Sequence, residues 1–411
     1  MRRRPRRLAL SVAATALAAA ANTHAAPPAS VDVATADNAF GFRLLSVVQK
    51  KAPSSNVVLS PVSAALDLAM ALNGATGETR QQILAALSLG GSDLGAINTA
   101  NAQLIKVIRT PTSSITLSVA DSLWVDNRRA SLQPDYVKRV QEAYDAEVNA
   151  LDFADPGAVA RINGWASKQT HERIPKVIDR IDPADLALLL NAVYFKGQWT
   201  HKFDKAQTQQ RDFTLASGTV KQVARMAQSG HFDYFETPDL QAIRLPFGTG
   251  DLVMEILLPA KSSSLGALEA QLTPEHWAAW RTQYTSRSGR IELPRFELKS
   301  SYRLNEPLQA LGMVRAFHSA GPEAAQLTEM LSPKQGQGGH FFISSVLQST
   351  YWKVDEEGSE AAAVTTIGVR AALMRPEQPF QMIVDRPFFG AIEDRRSGAL
   401  LFVGVIYDPT P

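Results

Sequence analysis

Residues 356–377 read EEGSEAAAVTTIGVRAALMRPE, a run of mostly small and uncharged residues near the C-terminus. Its length and its alternation are typical of a β-strand. Its last part, from Arg370 to Glu377, is typical of an exposed loop. We therefore predict that this segment is a loop in one state of the protein and a strand in another.

The distribution of charge along this segment supports that hypothesis. A segment that becomes the middle strand of a sheet turns one face to the core, and a buried face does not tolerate unpaired charge. Counting alternately from Gly358 gives one face without any charge, made of Ser359, Ala361, Ala363, Thr365, Ile367, Val369 and Ala371. The two charged residues of this stretch, Glu360 and Arg370, both fall on the other face.

The first 25 residues predict a signal peptide. The positive n-region consists of Arg2, Arg3, Arg4, Arg6 and Arg7. An apolar h-region follows from Leu8 to Ala21, and Thr23 to Ala25 supplies a small-residue cleavage site. A membrane anchor is the weaker alternative, because 14 apolar residues are too few to span a bilayer. We expect export by the general or the twin-arginine route, to the periplasm or the medium, and a linker over residues 26–35.

Composition and charge exclude several classes of function for the remaining chain. With 411 residues, 45% of them hydrophobic, the chain has ample material for a core. Without the five n-region arginines, 37 basic residues face 40 acidic ones, so the net charge changes from +2 to −3. This balance argues against a nucleic-acid partner. The absence of cysteine excludes disulfides, thiol catalysis and a lipid-modified cysteine anchor.

Local signals predict helices in the first part of the chain. Ser60 and Pro61 suit the N-cap and first position of a helix that Gly74 ends. Its predicted buried stripe consists of Val62, Leu66, Ala69 and Met70. A second helix is predicted to begin at Thr79, with Gln82 completing a capping box, and to end at Gly90-Gly91.

Strand signals dominate the later part of the chain. Leu186 to Phe195 is a nearly continuous apolar run, which predicts a strand buried on both faces. Asn191 lies in the middle of this run, and a buried amide needs hydrogen-bond partners. Two hairpins are also predicted, one joining Ile243–Phe247 to Leu252–Leu258 and one joining Phe388–Ile392 to Leu400–Ile406.

The sequence contains no local motif for catalysis. It has no Gly-x-Ser-x-Gly elbow, no phosphate-binding glycine loop, no dinucleotide fingerprint and no His-Glu-x-x-His pair. We therefore expect no enzyme, no metal and no cofactor. A hydrolase with dispersed catalytic residues stays open as an alternative, because catalytic triads are not local in sequence.

Five motifs in a fixed order carry a family resemblance. They are NVVLSPVSAALDLAMALNGATGET (56–79), LNAVYFKGQWTHKF (190–203), PRFELKSSYRLNEPLQALGM (294–313), EEGSEAAAV (356–364) and RPF (386–388). Together they make residues 36–408 resemble the serpins, which are suicide-substrate inhibitors of serine proteases. The resemblance implies one α+β domain with three β-sheets, eight or nine helices, and an exposed reactive-centre loop at about 356–378.

The resemblance also implies a mechanism and a partner. A serine endopeptidase cleaves the loop and becomes acyl-linked to it, and the loop then inserts into the central sheet. The product is a covalent one-to-one complex of a monomeric inhibitor, without membrane or nucleic acid. Papain-like cysteine proteases are possible further targets. A serpin that has lost inhibition and acts as a binding or chaperone-like protein is the alternative.

Site residues follow from the same resemblance. The hinge comprises Glu356, Glu357, Gly358, Ser359, Glu360, Ala361, Ala362 and Ala363. The breach, at the top of the inserting strand, comprises an expected Arg295–Glu356 ion pair with Trp199 nearby. The shutter, beneath the sheet, comprises Ser60, Ser63, Asn191 and Gln348. Gln348 stands where the family has histidine, so we expect a changed hydrogen-bond network.

The position of the scissile bond follows from the family's loop length. Counting the hinge glutamate Glu356 as the first of 17 residues places the bond between Ala372 and Leu373. A small residue before the bond suits an elastase-like protease. A shifted register leaves alternatives open, which are Leu373 or Met374 for a chymotrypsin- or subtilisin-like target and Arg370 or Arg375 for a trypsin-like one.

Overall fold

A computed structural model describes residues 31–110, 114–334, 341–358 and 378–410. These residues form nine α-helices: α1 (Val33–Lys51), α2 (Pro61–Leu72), α3 (Gly77–Ala86), α4 (Leu94–Ile108), α5 (Pro134–Tyr144), α6 (Ala158–Gln169), α7 (Leu265–Glu269), α8 (Pro274–Arg281) and α9 (Asn305–Ala310). Two short 3-10 helices cover Lys205–Gln207 and Arg315–Phe317.

The same residues form sixteen strands. The first eight are β1 (Val57–Leu59), β2 (Ile115–Asp126), β3 (Ala130–Leu132), β4 (Glu147–Leu151), β5 (Ala187–Gly197), β6 (Gln209–Thr214), β7 (Val220–Glu236) and β8 (Leu240–Phe247). The others are β9 (Leu252–Pro259), β10 (Thr285–Pro294), β11 (Phe296–Arg303), β12 (Leu331–Pro333), β13 (Ser345–Val354), β14 (Phe380–Ile383), β15 (Phe388–Asp394) and β16 (Ala399–Ile406).

The strands assemble into three sheets, as predicted for an α+β fold. The first has nine strands, in the order β1-β16-β15-β9-β8-β7-β10-β14, with β6 added beside β7. The second has five strands, in the order β11-β13-β5-β2-β4, and the third pairs β12 with β3. The described residues from Val31 onward form one compact unit, which agrees with the predicted single domain.

The centre of the five-stranded sheet is a parallel pair. Strands β13 and β5 run side by side from Ser345 opposite Leu188 to Tyr351 opposite Tyr194. We call this boundary the seam. Both strands therefore end at the same edge of the sheet. Almost every side chain of β5 is buried, which confirms the prediction from its continuous apolar run.

Helix α2 lies beneath the seam. It begins after the N-cap Ser60 with Pro61 in its first turn, as predicted, and ends at Leu72. The sequence predicted one buried stripe, but all twelve residues of the helix are buried. The reason is that α2 contacts β2, β5 and β16 together with α1, so that no face of it reaches solvent.

Three predicted boundaries are wrong. The helix predicted to begin at Thr79 begins at Gly77 with Thr76 as N-cap, and it ends before Leu87. Gln82 does not cap it, because its Oε1 accepts hydrogen bonds from the backbone N–H groups of Val314 and Arg315. Helix α1 begins at Val33, inside the stretch 26–35 that was predicted to be a linker.

Both predicted hairpins are present. Strands β8 and β9 pair antiparallel, and so do β15 and β16. None of the helices in the described ranges combines the length and the hydrophobicity that crossing a bilayer requires.

Candidate functional site

The first hinge residues lie at the edge of the sheet where β5 and β13 end. The backbone oxygen of Glu356 accepts from the N–H of Phe203 at 3.0 Å, and that of Glu357 accepts from the N–H of Trp199 at 3.2 Å. Trp199 and Phe203 belong to the segment that follows β5. The chain that leaves β13 is therefore attached, through its backbone, to the end of the neighbouring strand across the seam.

Gly358 makes the closest approach in this region. Its φ is +81°, a conformation that residues with a side chain rarely adopt. A Cβ atom at this position would lie 2.3 Å from the backbone nitrogen of Trp199 and 2.5 Å from the backbone oxygen of Gly197. Only glycine fits here, so the hinge glycine is required by both its backbone angle and its neighbours.

The expected ion pair of the breach is present. Arg295 Nε donates to Glu356 Oε1 at 2.6 Å, and Thr208 Oγ1 donates to the same oxygen. Burial alone would raise the pKa of Glu356, but the hydrogen bonds from Thr208 and Arg295 hold that pKa below its usual value. The carboxylate therefore stays charged and fixes the top of the strand.

Trp199 lies beside this ion pair, as predicted. Its ring stacks on Phe247 with centroids 4.3 Å apart, and its Nε1 donates to the backbone oxygen of Asp355 at 2.8 Å. The indole is 4% exposed. Trp199 thus connects the nine-stranded sheet to the last residues before the hinge.

A second acidic residue of the hinge has partners that the sequence did not indicate. Glu357 Oε2 lies 2.7 Å from Lys202 Nζ, and its Oε1 lies 2.8 Å from Lys205 Nζ. Hydrogen bonds from these two ammonium groups lower the pKa of Glu357 to about 2. In the sequence Lys202 and Lys205 follow shortly after Trp199, but nothing in that spacing indicates that they pair with Glu357.

The shutter residues meet across the seam. Gln348 on β13 donates from Nε2 to the side-chain oxygen of Asn191 on β5 at 3.0 Å. The same Nε2 donates to the backbone oxygen of Ser60 at 3.0 Å, and Gln348 Oε1 accepts from the N–H of Ser60 at 2.9 Å. Glutamine therefore joins both strands to the start of α2. The changed network expected for Gln348 is present.

The two serines of the shutter contribute differently. Ser63 Oγ accepts from Asn191 Nδ2, so its side chain belongs to the network. Ser60 takes part through its backbone, and its hydroxyl has no hydrogen-bond partner among the described residues.

Two carboxyl groups of the shutter were missed by the sequence reasoning. Asp121 on β2 accepts from Asn191 Nδ2 at 2.5 Å and from Ser63 Oγ at 3.3 Å. Asp67 on α2 is completely buried next to it. Burial raises the pKa of Asp121 to about 6, and burial together with Asp121 raises the pKa of Asp67 well above its usual value. The only signal in the sequence was that Asp67 and Asp121 each lie within a mostly apolar stretch.

The remaining predicted site residues lie outside the described residues. They are the signal peptide (1–25), the hinge residues Ser359, Glu360, Ala361, Ala362 and Ala363, the reactive bond Ala372–Leu373, and the alternatives Arg370, Met374 and Arg375. Within the described ranges no cluster of His, Asp or Glu could hold a metal ion.

Comparison with known proteins shows the family of the chain. Residues 35–409 match the family model described as Serpin (serine protease inhibitor). The chain is 33% identical over 390 residues to the leukocyte elastase inhibitor of Bos taurus, and the alignment covers 92% of this chain and 99% of that protein.

Solved structures share the fold. The crystal structure of tengpin, a thermophilic serpin in the native state, has a TM-score of 0.80 and 27% identity, and the match covers 92% of this chain and 94% of that one. Human thyroxine-binding globulin in complex with its hormone has a TM-score of 0.81 at 22% identity, covering 92% and 99%, which shows the fold alone. The family model spans nearly the whole described chain, in which Arg295 contacts Glu356 and Gln348 contacts Asn191. The chain therefore belongs to the serpin family of serine protease inhibitors.

Proposed function

We propose that this chain is an exported inhibitory serpin, and not an enzyme, that traps serine endopeptidases by inserting its cleaved loop into the five-stranded sheet. The observation that carries the proposal is the position of the hinge at the open end of the seam. Glu356, Glu357 and Gly358 lie where the chain leaves β13 and touch the end of β5. A strand that turned back at Gly358 would come to lie between these two strands.

Strand polarity supports insertion at the seam. Strands β13 and β5 are parallel, and parallel pairing is slightly less stable per residue than antiparallel pairing. A segment that folds back after β13 runs antiparallel to β13 and therefore also to β5. Insertion thus replaces one parallel boundary with two antiparallel ones.

The energy gained by insertion is large compared with the stability of a domain. It adds on the order of ten backbone hydrogen bonds at a net ~1 kcal/mol each. Burial of the uncharged face from Ser359 to Ala371 adds about a few kcal/mol more. A folded domain as a whole is stable by only ~5–15 kcal/mol. The uncleaved protein is therefore metastable.

The intact loop is held at both ends, and this prevents its insertion into the five-stranded sheet. At one end the hinge is bound to the five-stranded sheet. At the other end the chain continues into β14, which pairs with β10 at the edge of the nine-stranded sheet. Cleavage between these two attachments frees the hinge side of the loop while β14 stays in place.

The reaction proposed for the target protease is acyl transfer that stops at its intermediate. The hydroxyl oxygen of the protease serine attacks the carbonyl carbon of Ala372. The bond from Ala372 to Leu373 breaks, and the new amine of Leu373 takes up a proton. Insertion then carries the ester-linked protease away from its catalytic geometry. The small Ala372 favours an elastase-like target first and a chymotrypsin-like one next, and papain-like cysteine proteases would form the corresponding thioester.

A covalent complex on a denaturing gel tests the proposal. The mature protein is mixed with an elastase, a chymotrypsin and a trypsin, and we expect an SDS-resistant one-to-one band with elastase first. Mass spectrometry of the released peptide is expected to show a start at Leu373. Ala372→Arg provides the matched variant, which should lose the band with elastase and gain it with trypsin.

Two outcomes would contradict the proposal. If no protease in a broad panel of serine and cysteine enzymes gave a covalent band, inhibition would be ruled out. A binding role without inhibition would then be favoured, as for thyroxine-binding globulin, which shares this fold. A released peptide that began elsewhere would move the reactive bond to one of the alternative residues.

Detection of the mature protein in the periplasm or in the medium would test export, and its mass in solution would test the proposed monomer.

A further inference from the structure

Asp67 and Asp121 form a buried carboxyl pair that the insertion mechanism described above does not use. They are 0% and 3% exposed and lie on α2 and β2. Asp121 Oδ1 accepts from Asn191 and Ser63, but Asp121 Oδ2 and both oxygens of Asp67 have no donor among the described residues. Two adjacent buried carboxyl groups, of which Asp67 has no donor at all, cannot both be ionised, so the pair retains a proton between them.

We propose that this pair is a proton-operated lock on the seam, in which a second proton holds the central sheet closed and its loss favours opening. The inference rests on the proposed function, because it assigns regulation to the same insertion step. It adds two positioning residues, Asp67 and Asp121, to the shutter.

The location of the pair explains why opening affects it. Strands β2 and β5 are paired over eleven residues, from Ile115 opposite Gly197 to Val125 opposite Ala187, so they move as one unit. A strand entering the seam separates β5 from β13 by a further ~4.8 Å, which is one strand spacing. Helix α2 also contacts β16 of the other sheet. Displacement of the β2–β5 unit therefore moves Asp121 relative to Asp67.

A cavity of about 460 Å³ provides the solvent that would reach Asp121 after such a displacement. It lies beside β2 and is lined by Arg109, Asp121, Asp145, Glu147 and Trp165, with Gln169 and residues 117–120 completing it. In the closed sheet the carboxyl oxygens of Asp121 face Asn191, Ser63 and Asp67 instead. Opening would transfer this carboxylate from a buried site toward water.

The charged and titratable groups around the pair come from α4, α5, β4 and the connection between α5 and β4. Arg109, at the C-terminus of α4, favours ionisation of Asp121, while Tyr136 of α5 interacts with Asp67. Asp145, after α5, pairs with Arg109 at 2.5 Å, and Glu147 of β4 lines the cavity. The two strands of the seam contribute the neutral amides of Asn191 and Gln348.

The direction of the effect follows from the pKa of Asp121, which burial raises from an ordinary 3.8 to about 6. The closed sheet binds the second proton more tightly than a state with Asp121 in water. Acid therefore stabilises the closed sheet, and this stabilisation is lost as the pH rises through about 6. A pKa difference of this size allows an increase of up to ~100-fold in the opening equilibrium between about pH 4 and pH 7, of which ~10-fold falls above pH 5.

Peptide annealing tests the lock without any protease. A synthetic peptide SEAAAVTTIGVRAA, which copies residues 359–372, is mixed with the intact protein, and its incorporation is followed on native gels between pH 5 and pH 8. Over this pH range we expect the annealing rate to rise ~10-fold, with a midpoint near pH 6. The Asp121→Asn variant should incorporate the peptide slowly at all pH values, because the side chain at position 121 can no longer ionise.

Two further variants separate titration from a purely structural role. Asp67→Asn places a permanent donor beside Asp121 and removes the competing acid, so the midpoint should move to lower pH. Glu147→Gln is the matched control, because its exposed carboxyl lines the same cavity and contacts Gln169 instead of the pair or Arg109, and it should keep the wild-type midpoint.

The outcomes distinguish the lock from the proposed function. Annealing at a rate independent of pH would overturn the lock and leave insertion intact. A wild-type pH profile in both Asp121→Asn and Asp67→Asn would do the same. Failure of the peptide to anneal at any pH would contradict insertion itself, and the lock with it. If Asp121→Asn did not fold, the pH midpoint of peptide annealing in Asp67→Asn would decide whether the lock exists.

Discussion

Removal of the Gln348 side chain should weaken the closed sheet strongly. Gln348 is completely buried and makes three hydrogen bonds, two to the backbone of Ser60 and one to Asn191. In Gln348→Ala the N–H of Ser60 and the side-chain oxygen of Asn191 lose this partner, while the C=O of Ser60 keeps its hydrogen bond from the N–H of Ala64. A buried polar group left without its partner costs ~1–3 kcal/mol. Allowing for relaxation around the smaller residue, we expect the free energy of unfolding to fall by about 3–5 kcal/mol.

The same substitution should also accelerate opening of the seam. Gln348 and Asn191 face each other in the register of β13 and β5, so their hydrogen bond crosses the boundary that a strand must enter. Urea unfolding at neutral pH measures the loss of stability. Native gels after incubation below the melting temperature measure conversion of the intact protein to inserted or oligomeric forms, which we expect to be faster in the variant.

Gln141→Ala is the matched control for this prediction. Gln141 is exposed on α5, and substitutions at exposed helix positions usually change stability by less than ~0.5 kcal/mol. The reasoning would be refuted if Gln348→Ala lost less than ~1 kcal/mol, or if its rate of conversion equalled that of the control.

Three further predictions concern the hinge. Gly358→Ala should lower stability by ~1–3 kcal/mol in urea unfolding, because the new Cβ would meet the backbone of Trp199 and Gly197 at a positive φ. Glu357→Gln should cost about 1 kcal/mol or less at pH 7, and this cost should shrink as the pH falls from 4.5 toward 2, where wild-type Glu357 also loses its charge. Ser359→Arg should convert the protein from an inhibitor into a substrate, seen as cleavage without a covalent band, because it places an unpaired charge on the face that must be buried.

Each of these predictions has a control and a contrary result. Gly164→Ala, in an exposed position of α6 with free space around it, should gain ~0.5–1 kcal/mol, and an equal gain in Gly358→Ala would show that the hinge geometry is unimportant. If the stability cost of Glu357→Gln did not change with pH, the ion pairs with Lys202 and Lys205 would not be the way in which Glu357 contributes to stability. Undiminished inhibition by Ser359→Arg would mean that the inserting strand has a different register.

The sequence predicted the parts of the fold whose signals are local. The apolar run of β5, the N-cap and proline at the start of α2, and the two hairpins all depend on neighbouring residues, and the structure contains them. The predicted start of α3 was wrong because Gln82, which completes a capping motif in the sequence, instead accepts hydrogen bonds from the distant backbone N–H groups of Val314 and Arg315.

The candidate site was predictable where a motif carried it and not where the contacts are distant. The partners of Glu356 and Gln348 followed from the family resemblance, and the structure brings these residues together. Asp67 and Asp121 come from a helix and a strand far apart in the chain, and only their packing against each other makes either carboxyl unusual. Periodicity along one segment carries no information about such a pair.

The most direct test of the central claim compares the intact protein with the protein cleaved once in its loop. Limited digestion near Ala372 is followed by thermal unfolding of both forms under the same conditions. The account predicts that the cleaved form melts far above the intact one, because the freed segment has joined β5 and β13 as a sixth strand of that sheet. Equal melting temperatures would contradict the account, since they would show that cleavage releases no stored free energy.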